Sequence, residues 1–115
     1  VSLTAPPAQL VNAYPEFYRW LVPRLQLIAR TFPNSQPTSW WRSAGRNFEV
    51  GGASRSQHLL GWAADFAGPR DEARQMMLLA NQIGLVAIDE GDHVHVQMFR
   101  AGVVPASFFP RQFSV

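Results

Sequence analysis

From Leu10 the apolar residues Tyr14, Phe17, Tyr18, Leu21, Leu25, Ile28 and Phe32 follow one another largely in steps of three and four. That spacing places them on one side of a helix for about six turns. Pro15 and Pro23 fall inside the stripe, which predicts two short helices or one kinked helix. Its aromatic members read as core packing. A helical block of this size at the start of a 115-residue chain leaves the remainder to build the layer against which it packs.

Beyond Phe32 the pattern shortens. Residues 32–37, with two prolines, read as a loop, and Thr38 to Arg42 as a short strand. Residues 43–57 are rich in Gly and Ser and lack periodicity, so a long ordered loop is expected there, and loops of that length in compact domains often carry function. A strand is expected over 60–67, ending near Gly68. A middle helix follows, with Pro69 just inside its start and Asp71 and Glu72 in the first turn. Its inner face is Ala73, Met76, Met77, Ala80 and Ile83, and Gly84 lies just past its end. Residues 85–88 read as a short buried strand, 89–92 as a turn and 93–98 as a returning strand. The Phe- and Pro-rich tail is expected to pack over the core as loop or short helix. The expected class is α+β, a single domain over residues 1–115 with a small antiparallel sheet against N-terminal helices and one middle helix.

Composition narrows the chemistry. The chain has no cysteine, so disulfides and thiolate metal sites are excluded, and a metal would be held by His and carboxylate. All ten basic residues are arginine, and the net charge of +2 is too small for a nucleic-acid-binding composition. No apolar run reaches the 18 or so residues of a membrane span. The first ten residues lack a secretory layout, although a signal removed from a mature chain would leave none. Neither nucleic acid nor membrane insertion is expected, and the chain is expected to be a monomer.

Three histidines occur, His58, His93 and His95. His93 and His95 are two apart on an expected strand, which puts both rings on one face; taken alone, such a pair also fits a solvated strand. Residues 56–65 read S-x-H-x-x-G-x-A-x-D, from Ser56 through His58 and Gly61 to Asp65. An unbroken strand would send His58 and Asp65 to opposite faces, and Gly61 offers a bend that could bring them together. Two histidines and one carboxylate suffice for catalytic zinc and leave a coordination position open. A base must then move the proton of a water. Asp92 is best placed for this, with Glu90 in reserve, and both Asp92 and Asp89 also fit as turn formers.

At these residues the chain resembles the zinc D-alanyl-D-alanine carboxypeptidase and L-alanyl-D-glutamate endopeptidase family, part of a group that includes lysostaphin-type peptidases and the hedgehog signalling domain. The marks are S-x-H-x-x-G-x-A-x-D and a downstream H-x-H. Upstream stand Trp41-Arg42-Ser43, Asn47 and Val50-Gly51-Gly52, where members commonly carry Tyr-Arg-Ser, Asn and Val-Gly-Gly. The resemblance covers about residues 38–98. It implies a sheet that carries one zinc ion held by His58, Asp65 and His95, with Asp92 as general base and His93 assisting near the substrate. It implies further that Arg42 binds a substrate carbonyl or carboxylate and that Ser56 orients substrate or a ligand. Ser56 fits equally as a turn serine, and Arg42 as a surface pairing residue. Trp40, Trp41 and Trp62 are cleft candidates, Trp62 foremost, with core packing expected for at least one. The expected activity is hydrolysis of peptidoglycan stem peptides at the bacterial cell wall, as endopeptidase or D,D-carboxypeptidase, in the manner of a phage endolysin or wall-remodelling enzyme. A zinc-dependent binding module of the same architecture is the alternative.

Overall fold

A computed structural model describes residues 3–101 and 103–109. Helix α1 spans Ala8–Ala13 and α2 spans Pro15–Thr31. The break between them lies at Tyr14 (φ −136°, ψ 56°), because a residue before proline is pushed out of the helical region. Pro15 then serves as the first residue of α2, where its missing N–H costs nothing, and Pro23 is accommodated within the helix.

Four strands follow in chain order, β1 (Gln36–Ser39), β2 (Ala63–Ala67), β3 (Val86–Asp89) and β4 (Val94–Gln97). They form one sheet in the order β1-β2-β4-β3, antiparallel throughout. Helix α3 covers Ala44–Glu49, and α4 covers Arg70–Gln82 between β2 and β3. The α+β expectation is met.

Strand alternation divides the sheet into two uses. Ala64 and Phe66 of β2, with Val94 and Val96 of β4, join Leu21 and Ile28 of α2 and Ala73, Met76 and Ala80 of α4 in the main core. Residues one step out of phase, Asp65 on β2 and His95 and Gln97 on β4, therefore point to the other face. A second cluster gathers Leu10, Tyr18, Leu60, Trp62 and Val104.

Several expectations need correction. The first strand is Gln36–Ser39 rather than Thr38 to Arg42, because Pro37 lies on an edge strand, where a missing donor is tolerated. Residues 43–57 are not one long loop. Ser43 caps α3 by accepting from the Arg46 N–H at 3.1 Å, and a 3-10 helix forms at Gln57–Leu60. The strand expected from residue 60 begins at Ala63. Strand β3 is a half-exposed sheet edge rather than buried, with Ile88 open to solvent. Pro69 precedes α4 instead of opening it. In the tail, Ala106–Phe108 is a short 3-10 helix, and residues 110–115 lie outside the described residues.

Candidate metal centre

Asp65 and His95 stand directly opposite each other in the β2–β4 register, so two adjacent strands deliver a carboxylate and an imidazole to one point. Asp65 Oδ1 lies 3.1 Å from His95 Nδ1. The third member arrives by a different route. His58 sits in the 3-10 helix, and Gly61 ends that helix at φ 71°, a left-handed conformation natural to glycine. The bend expected at Gly61 is there, and it carries His58 Nε2 to 3.3 Å from Asp65 Oδ2. One ligand atom from each of His58, Asp65 and His95 lies within 4.8 Å of the others.

The segment Trp40 to Arg42 holds the His58 turn in place. The Trp40 carbonyl accepts from His58 Nδ1 at 2.7 Å, and the Trp40 indole donates to Gly61 O at 2.7 Å. The Trp41 indole donates to Leu59 O at 2.9 Å, and the Arg42 N–H donates to His58 O at 3.0 Å. Ser56 caps the same turn by accepting from the His58 N–H at 3.2 Å. That contact fits both a residue that orients His58 and an ordinary turn serine.

A carbonyl can only accept, so the bond to Trp40 O places the His58 proton on Nδ1. That leaves Nε2 as a buried lone pair with no hydrogen-bond partner, aimed at a carboxylate that is itself an acceptor. Such a buried group is costly unless a cation lies between the two. The donor set of imidazole nitrogens and carboxylate oxygen suits zinc. On the chemistry of its lone pairs the cluster fits a metal.

Electrostatics point the same way. Burial alone would raise the Asp65 carboxyl, but the facing His58 and His95 imidazoles outweigh it and hold the group well below the usual carboxylate range. Burial works against charge on His95, yet the Asp65 carboxylate and Gln97 prevail and raise it. Asp65 is thus an anion at any ordinary pH.

Arg42 also reaches the cluster, donating to Asp65 Oδ2 at 3.0 Å. Burial lowers its pKa, against the pull of Asp65. Asn47 steadies it from behind, with Oδ1 3.4 Å from Arg42 Nη1 and Nδ2 donating to Ala53 O at 3.0 Å. A Cβ on Gly52 would come within 2.0 Å of Asn47 Oδ1, which explains a glycine at that position.

His93 lies at the rim, Nε2 3.7 Å from Asp65 Oδ1 and Nδ1 2.6 Å from Asp92 Oδ1. Asp92 is largely exposed and reaches the cluster through His93. Asp89 is a turn former, accepting from the Gly91 N–H and pairing with Arg70.

Trp62, expected to contact substrate, is fully buried. Its ring packs edge-on against Phe17 at 4.9 Å and against Tyr14, Phe99 and Phe108 at 5.6 Å, so it is a core residue with no surface left for a ligand. Two glutamines escaped the sequence reading. Gln57 and Gln97 are both buried and both make side-chain hydrogen bonds beside the cluster. The same period-two rule that paired His93 with His95 places Gln97 on their face, and that signal was available.

A family model described as Peptidase M15 matches residues 36–97, from the start of β1 to the end of β4. The chain belongs to the peptidase M15 family. That match contains every member of the cluster together with Arg42, Asp92 and His93, and membership makes the chain a peptidase of a zinc-dependent type. Comparison with the curated proteins and with the solved structures gives no match.

Proposed function

We propose that this M15 peptidase hydrolyses peptide bonds in the stem peptides of bacterial peptidoglycan, with His58 Nε2, Asp65 and His95 Nδ1 as the ligands of one zinc ion. The observation that carries the reading is the buried, unpartnered Nε2 of His58 facing the Asp65 carboxylate. A bound zinc supplies a Lewis acid that polarises a scissile carbonyl and acidifies water.

The residues around it handle protons and substrate. Asp92 is the general base of this reading, working as a pair with His93. Its carboxylate accepts a hydrogen bond from His93 Nδ1 at 2.6 Å, which leaves the His93 Nε2 lone pair on the cluster side. A proton drawn from water at that rim can pass through the pair to the leaving amine. Arg42 is held at the cluster with fixed geometry and serves as the group that binds a substrate carbonyl or carboxylate. It lines a polar pocket of about 230 Å³ with Thr38, Ser39 and Arg46. Stem peptides carry free carboxylates that such a pocket would suit. The Asp92–His93 pair and Arg42 favour turnover over a binding module, which would need neither. Action at the cell wall as a monomer, in an endolysin or a wall-remodelling enzyme, belongs to the same proposal.

The test is digestion of purified peptidoglycan followed by mass spectrometry of the soluble fragments. Zinc-loaded protein should release peptides whose new termini identify the bond, and a chelator should stop the release until zinc is returned. Intact peptidoglycan after incubation with zinc-loaded, folded protein would end the reading.

A further inference from the structure

Gln97 on β4 is buried, and both ends of its side-chain amide are committed. Nε2 donates to Phe99 O at 2.6 Å and faces Arg100 O at 3.4 Å. Carbonyls only accept, so the nitrogen end must lie there, and Oε1 must be the end that meets His95 Nε2 at 2.8 Å. An amide oxygen has no proton to give, so His95 Nε2 carries one. A neutral imidazole has a single N–H, and Nδ1 is then the lone pair, turned to the cluster.

The carbonyl that fixes Gln97 is fixed in turn. Gln57 accepts from the Met98 and Phe99 N–H groups at 3.1 Å each and donates to Phe99 O at 2.8 Å and Ala101 O at 2.9 Å. Gln57 adjoins His58 in the chain, and Gln97 lies two residues after His95. The glutamines meet at Phe99 O, so the two arms that carry the imidazoles are tied to one strip of main chain.

We propose that Gln97, braced by Gln57 through Phe99 O, is a positioning residue that holds His95 in the Nε2–H tautomer and so keeps Nδ1 free for a metal. The link to metal binding rests on the reading of the cluster given above. Without the Gln97 acceptor, the Asp65 carboxylate is the nearest partner for the ring proton. The proton then moves to Nδ1 and blocks the ligand atom. Groups behind a metal-ligating histidine change affinity by about 10–100-fold.

The experiment uses the full chain labelled with ¹⁵N-histidine, at alkaline pH, before and after addition of zinc. Ring nitrogen shifts report which nitrogen carries the proton. Wild type should show His95 protonated on Nε2 and His58 on Nδ1. Gln97→Leu should move the His95 proton to Nδ1, leave His58 unchanged and weaken zinc binding by about 10–100-fold. A wild-type His95 protonated on Nδ1 would overturn the proposal, and that measurement does not depend on any variant folding. So would a Gln97→Leu protein whose His95 shifts match wild type. Tautomers as expected with no zinc bound would refute the metal reading while leaving the role of Gln97 intact.

Discussion

The main-chain carbonyl of Trp40 lies 2.7 Å from Nδ1 of His58, while the indole of the same tryptophan donates to Gly61 O, three residues further on. One residue thus sets the ring orientation of His58 and ties down the end of the turn that presents it. Trp40→Phe keeps the carbonyl and removes only the indole bond. The expected loss is about 1 kcal/mol of stability, read by urea denaturation, with zinc binding retained. Unchanged stability would show that the turn is held by something else.

Gly61 is the joint between that turn and β2. Its φ of 71° and a Cβ that would fall 2.3 Å from Pro6 Cγ make Gly61→Ala doubly unfavourable, by strain and by collision. We expect about 1–3 kcal/mol of destabilisation together with weaker zinc binding. Gly45, within α3, is the control, since a Cβ there meets nothing within 4 Å. Gly45→Ala should be neutral or stabilising by about 0.5–1 kcal/mol. Equal melting temperatures for the two variants would contradict the geometry at Gly61.

The Asp65–His95 pair gives the metal-free protein a defined pH response. The folded-state value of Asp65 is depressed from 3.8, so its stabilisation is present above that value and disappears as pH falls through the depressed one. The folded-state value of His95 is raised from 6.5, so its stabilisation is full below 6.5 and disappears as pH rises through the raised one. Metal-free protein should therefore lose stability as the solution turns alkaline. Zinc competes with protons for the same nitrogens, so the stabilisation that zinc adds should grow over that range. Thermal melts with and without zinc, in buffers on both sides of the His95 transition, would show the two trends diverging. A metal-free protein that becomes more stable on passing to alkaline pH would refute the pairing.

Asp92 is 88% exposed and touches the site through His93 alone among its side-chain hydrogen bonds. Asp92→Asn should therefore leave folding and zinc content unchanged while lowering turnover by about 10²–10⁴-fold. Muropeptide cleavage at the wild-type rate would remove Asp92 from the proton path.

Ser56 offers a milder perturbation. Ser56→Ala removes the cap on the His58 N–H and should cost about 1 kcal/mol. Zinc affinity should fall modestly, since the turn that carries His58 frays. Isothermal titration with zinc would check it, and an affinity equal to wild type would reduce Ser56 to an ordinary turn serine.

The chain's local patterns carried much of this. Helical stripes marked α2 and α4, and the proline rule explains why the first helix stops at Tyr14. The S-x-H-x-x-G-x-A-x-D run marked a bend at Gly61, and alternation put His93 and His95 on one face. These are short-range consequences of backbone geometry, so they can be read without knowing what lies across the sheet. Helix α3 was missed because its six residues lack an apolar period and its cap at Ser43 stands in a Gly- and Ser-rich stretch.

Other features depend on partners far away in the chain, and only the tertiary structure decided them. Alternation could not separate His93 from His95; the β2–β4 register did, by setting His95 opposite Asp65 and leaving His93 at the rim. Trp62 stood foremost among the cleft candidates, and the structure makes it a core residue enclosed by Phe17 and Phe108. The assignment of each ring proton waited on Trp40 O for His58 and on Gln97 for His95. The physical reason is the same in each case. A hydrogen bond or a packed ring is set by the separation of two atoms in space, and residue spacing along the chain fixes that separation only within a single helix, strand or turn.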